Sequence, residues 1–76
     1  MTEDRSGWRP FIERACQAVG IEPDLIDEDI ALELAARVAR EGERPMAPVA
    51  TFILGLAVGS GKGDVDDLKA KIESVA

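Results

Sequence analysis

The chain has 76 residues, 46% of them apolar and 32% charged, with a net charge of −6. That is one small domain with a thin core, too apolar for a disordered tail and too acidic to favour phosphate backbones or anionic lipid as partners. Histidine and tyrosine are absent and Cys16 is the single cysteine, which removes histidine-based catalysis, an internal disulfide and cysteine-based zinc sites.

In chain order, the opening MTEDRSGWRP is polar and lacks the apolar run of a signal peptide, so a cytoplasmic protein is expected, with residues 1–5 disordered. An amphipathic helix comes next, from about Ser6 to Val19. Trp8, Phe11, Ile12, Ala15 and Val19 form its stripe at three- and four-residue spacing. Pro10 leaves its start open between Ser6 and Pro10 itself, and Gly20 ends it. Cys16 at the rim of the stripe reads as a small core hydrophobe.

The segment EPDLIDED, Glu22 to Asp29, holds five acids in eight residues. It lacks the ligand spacing of a calcium loop, and helix capping explains it better. Asp27 is the expected N-cap of a second helix, with Glu28 and Asp29 in the first turn. That helix runs to about Glu41, with Ile30, Leu34 and Val38 as its buried row, and Gly42 closes it. Arg44 to Pro48 is expected to be an extended connector, because each proline pushes its predecessor out of helical geometry.

Pro48 then opens a third helix. From Met46 to Val58, 13 residues, only Thr51 has a polar side chain. A helix with no polar face must be wrapped by its neighbours or by a partner. At ~1.5 Å per residue it reaches ~20 Å, short of the ~30 Å hydrocarbon core of a bilayer. It is expected to be the shielded centre of the domain, with Gly55 marking the close approach of another backbone. GSGKG, Gly59 to Gly63, is a loop. Asp64 caps a last helix in which Val65, Leu68, Ile72 and Val75 face inward and Lys69, Lys71 and Glu73 face water. There are no strand signals and no internal boundary. The expected fold is all-α, a compact four-helix bundle over residues 1–76 with an apolar central third helix.

Little in the chain carries chemistry. GSGKG fails as a phosphate loop: Leu56 stands where the first glycine is required, Gly63 stands where Ser or Thr is required, and a helix precedes it. The acids sit at helix starts rather than paired in a cleft. An acyl carrier protein needs Asp-Ser-Leu at its second helix, and a helix-turn-helix reader needs a polar recognition helix. Neither is present. The remaining cluster is Arg37, Arg40 and Arg44, beside the elbow that contains Pro45 and Pro48. It reads either as an anchor for an acidic or phosphate-bearing partner or as arginines serving the helix end and pairing with Glu33, Glu41 and Glu43.

The order Trp8, Cys16, Val19-Gly20-Ile21, Arg44-Pro45-x-Ala47-Pro48 and Phe52-x-x-Gly55-x-Ala57-x-Gly59 resembles a small bacterial domain family of unknown function. That family occurs alone, or fused to or encoded beside molybdenum cofactor guanylyltransferase. The resemblance implies an accessory role in molybdenum cofactor maturation. The enzyme's glycine-rich LxAGGxSxRMGxDK signature has no counterpart here, so the chain is not expected to be that transferase. The expectation is a non-enzymatic adaptor with no catalytic, cofactor or metal residues, docking a protein partner through Arg37, Arg40, Arg44, Pro45 and Pro48 together with exposed parts of the third helix. A pterin or nucleotide binder, with Arg44 holding a phosphate, and a self-associating module such as a homodimer are the alternatives. Neither nucleic acid nor membrane is expected as a partner.

Overall fold

The computed structural model describes residues 6–76, so the disorder expected for residues 1–5 falls outside the described residues. Four helices stand in order, α1 (Trp8–Val19), α2 (Glu28–Glu41), α3 (Met46–Gly59) and α4 (Val65–Glu73), with a 3-10 turn at Pro23–Leu25 between the first two. No strand occurs among the described residues. The all-α four-helix reading therefore holds.

The helix ends obey local chemistry. Gly7 precedes α1, which places Pro10 in the first turn, where a missing N–H breaks no intrahelical bond. Gly20 adopts φ 77°, a left-handed geometry that favours glycine, and the Ile21 amide returns to the Cys16 carbonyl at 2.9 Å. Asp27 caps α2 by accepting from the Ile30 amide at 3.1 Å, and Asp64 caps α4 by accepting from the Asp66 amide at 3.1 Å.

The elbow between α2 and α3 differs from the expected extended connector. Pro45 is helical at φ −62° and ψ −16°, and α3 starts at Met46, two residues before Pro48. The Met46 and Ala47 amides donate to the Glu43 and Arg44 carbonyls at 2.9 and 3.0 Å, closing a tight turn. Both prolines fall where a helix has no acceptors for its amides, so neither interrupts it.

The core is formed by three helices. Leu34 and Val38 of α2, Ala50 and Leu54 of α3, and Leu68 of α4 are buried together, with Ile30, Ala57, Val65 and Ile72 packed around them. The row Ile30, Leu34, Val38 behaves as its spacing predicts. Helix α1 packs on the 3-10 turn instead and leaves α3 uncovered. Its inward row is Trp8, Ile12 and buried Cys16, while Phe11, Ala15 and Val19, placed in the buried stripe from sequence, are exposed. Val75, beyond the end of α4, is exposed as well.

Arg9 ties α1 to the 3-10 turn and to the start of α2. Its guanidinium donates to the Glu28 carboxylate at 3.0 Å and to the carbonyls of Pro23 and Ile26 at 3.0 and 2.8 Å. The Glu28 bond raises the Arg9 pKa further, and the Glu28 carboxyl is held below its ordinary range by its own backbone amide and then by Arg9. A second set of ion pairs straps α4 to α2. Lys69 meets Glu73 at 3.1 Å and Glu33 at 3.9 Å, and Arg37 reaches Glu73 at 3.9 Å. Lys69 and Glu73 are thus half-buried against α2 rather than facing open water.

Candidate interaction surface

Helix α3 has two apolar faces of different kinds. Successive residues step by about 100° around a helix, so Ala47, Ala50, Leu54 and Ala57 share one side and Pro45, Val49, Phe52, Leu56 and Gly59 line the opposite one. The first side carries small residues and is covered: Ala47, Ala50 and Leu54 are buried and Ala57 is partly so. The second carries the bulk and is open. Phe52 is 71% exposed, Leu56 62% and Ile53 50%, with Val49 and Met46 also exposed.

This corrects the expectation that neighbouring helices shield α3 all round. Alanines on the inner side allow α2 and α4 to approach the α3 backbone closely, but two helices cover only one side of a third. Helix α1, which could have covered the rest, is held on the 3-10 turn by Arg9. Gly55 is corrected too. No atom lies within 4 Å of where its Cβ would stand, so no backbone of this chain approaches it. The single polar side chain of the helix is satisfied internally, Thr51 donating to the Pro48 carbonyl at 2.8 Å. The outer face therefore offers hydrophobic area and no charge, a contiguous patch of the kind that marks protein contact sites.

The three arginines divide. Arg37 is engaged by Glu41 on its own helix and by Glu73, and its pKa is raised chiefly by the Glu41 bond. It acts as a strap between α2 and α4. Arg40 and Arg44 are exposed, and neither has an ion pair or side-chain hydrogen bond among the described residues. Arg44 and Pro45 form the elbow and Pro48 lies in the first turn of α3, all exposed. The Arg40–Pro48 end thus presents unpaired Arg40 and Arg44, with exposed Glu43 between them, at the start of the open row.

Sequence reasoning named the arginines and prolines and placed exposed parts of the third helix beside them, but did not single out Val49, Phe52, Ile53 and Leu56. A helix apolar all round gives no periodic clue to which side is covered. The segregation of alanine from bulky residues was the signal available.

Other concave features offer less. A cleft of about 350 Å³ between α2, α3 and α4 is walled mainly by Val38, Met46, Ala50, Ile72 and Val75, with Glu43 as its charged side chain. Arg44 is not among its walls, so the phosphate anchor expected for a nucleotide or pterin is not placed there. An open depression between α1 and the 3-10 turn is bordered by Glu13 and Glu22. No group of three or more metal-ligating side chains occurs among the described residues. No described helix is long and apolar enough to cross a membrane.

A family model described as a domain of unknown function, DUF6457, matches residues 3–76. No curated protein and no solved structure matches the chain.

Proposed function

The chain belongs to the DUF6457 family, whose matched residues span nearly its whole length, and we propose that it is a non-enzymatic adaptor that docks another protein against the outer face of α3. The observation that carries this reading is the open, uncharged row Val49, Phe52 and Leu56, with Ile53 beside it. Exposed bulk of this kind has a cost in water that contact with a partner offsets. Free Arg40 and Arg44 at one end would orient the partner and speed its arrival, since rim charges act mainly on association rate and register. Arg37 belongs to the fold rather than to the contact.

The partner favoured is the molybdenum cofactor guanylyltransferase, on the sequence resemblance described above. The module would hold or present the enzyme during cofactor maturation and perform no chemistry of its own. The test is calorimetric titration of the purified enzyme with the domain. Wild-type protein should bind, Phe52→Glu should abolish binding, and Arg40→Glu/Arg44→Glu should weaken it with a loss of salt dependence. Binding by Phe52→Glu equal to wild type would remove the α3 face from the account. No binding by wild type would remove this enzyme as partner.

A further inference from the structure

We infer that, before a partner arrives, the outer face of α3 pairs with the same face of a second copy, as an antiparallel two-fold dimer centred on Phe52. This rests on the docking reading of that face and names its first occupant. Three features of the face support it.

The outer row is close to a palindrome. Phe52 lies at its middle, Val49 and Leu56 flank it, and Pro45 and Gly59 end it. A two-fold axis through Phe52 would set Phe52 against Phe52, Pro45 against Gly59, and Val49 within one residue, about 1.5 Å of rise, of Leu56. An isologous interface needs self-complementarity of this sort, in which residue i meets j while j meets i. The three- and four-residue spacing of the row matches that of helix seams that pack side by side. Gly55 and Gly59, with no atom within 4 Å of their Cβ positions, leave room for the second backbone.

Charge complementarity selects the antiparallel direction. The exposed charges at the N-terminal end of α3 are Arg40, Arg44 and Glu43, net positive with Glu41 taken up by Arg37, and those beyond its C-terminal end are Lys62, Asp64, Asp66 and Asp67, net negative. Antiparallel pairing brings the basic end of each copy to the acidic end of the other, twice over. Parallel pairing would set arginines against arginines and aspartates against aspartates. Between the ends, residues 46–59 carry no charge, so the net charge of −6 is kept off the contact itself.

The area fits a reversible pair. The row offers several hundred Å² per copy, against the ~800 Å² per partner of standard specific interfaces. An interface below the standard size is of the weak, transient class, so the pair should be reversible and yield to a better partner.

Sedimentation across the micromolar range, combined with cysteine cross-linking, tests the inference. Wild type should move from monomer to dimer, and Phe52→Glu should raise the dimer dissociation constant by about tenfold or more with its helical circular dichroism unchanged. Val49→Cys mixed with Leu56→Cys should form a disulfide-linked heterodimer efficiently, while Val49→Cys alone should not. Native Cys16 is buried and stays out of the reaction. A wild-type chain that remains monomeric throughout overturns the inference, as does a Phe52→Glu chain that dimerises like wild type. Efficient linkage of Val49→Cys to itself overturns the antiparallel arrangement. A monomer that still binds the guanylyltransferase would sink self-pairing alone, whereas a dimer that ignores the enzyme would sink the choice of partner alone.

Discussion

Leu54 and Leu56 lie two residues apart on α3 and meet opposite surroundings: Leu54 is 5% exposed and Leu56 62%. Two steps along a helix turn by about 200°, so one leucine enters the three-helix core while the other stands outside the domain. Neighbours identical in chemistry thus separate what holds the fold from what the fold presents.

Leu54→Ala should destabilise the domain by about 2–5 kcal/mol, the range for a buried leucine truncated in a packed core. Leu56→Ala should change stability by about 0.5 kcal/mol or less at concentrations where the protein is monomeric. Urea unfolding of the two variants checks the contrast, and equal losses would mean that Leu56 is also covered.

Gly55→Ala should stabilise the monomer by about 0.5–1 kcal/mol, because alanine is the better helix former and the added methyl meets nothing. The same change should weaken docking on the outer face if Gly55 leaves room for a partner's backbone. Thermal unfolding and the enzyme titration read the two effects separately.

The hold of Arg9 on Glu28 gives α1 a dependence on pH. The folded pKa of Glu28 lies below its ordinary value, so its contribution is present above the unfolded pKa and is lost as pH falls through the folded one. Acidification below about pH 4 should therefore loosen α1 before the α2–α4 core melts. Trp8, the sole tryptophan, reports on this by fluorescence. Glu28→Gln should abolish the acid-dependent step and leave α1 looser at neutral pH.

Asp27→Ala removes the side-chain acceptor for the Ile30 amide and should cost about 1 kcal/mol of stability. Asp27→Asn should retain most of it. Chemical denaturation of the pair separates loss of the hydrogen bond from loss of charge.

Most of the fold was legible in the sequence because local chemistry wrote it. Asp27 and Asp64 announced helix starts, Gly20 announced a left-handed stop, and Ile30, Leu34 and Val38 kept the period of a half-buried helix. The elbow was not, because proline rules describe the residue before each proline, while Pro45 fits at the cap of α3 and Pro48 inside its first turn. The interaction surface was harder to read. The apolar run of α3 has no polar side to orient it, and the stripe of α1 says that it will be buried without saying against what. Arg9 settles the second question through contacts with Pro23, Ile26 and Glu28 that no periodicity encodes. Once α1 is held there, Phe52, Ile53 and Leu56 stay open.

Hydroxyl-radical footprinting of α3 tests the docking face most directly, with dilute protein compared against concentrated protein and against protein mixed with the guanylyltransferase. The account predicts that Phe52, Ile53 and Leu56 are modified readily in dilute solution and protected in at least one of the other two, while Leu54 is protected in all three. Equal modification of Phe52 and Leu56 under every condition would contradict it.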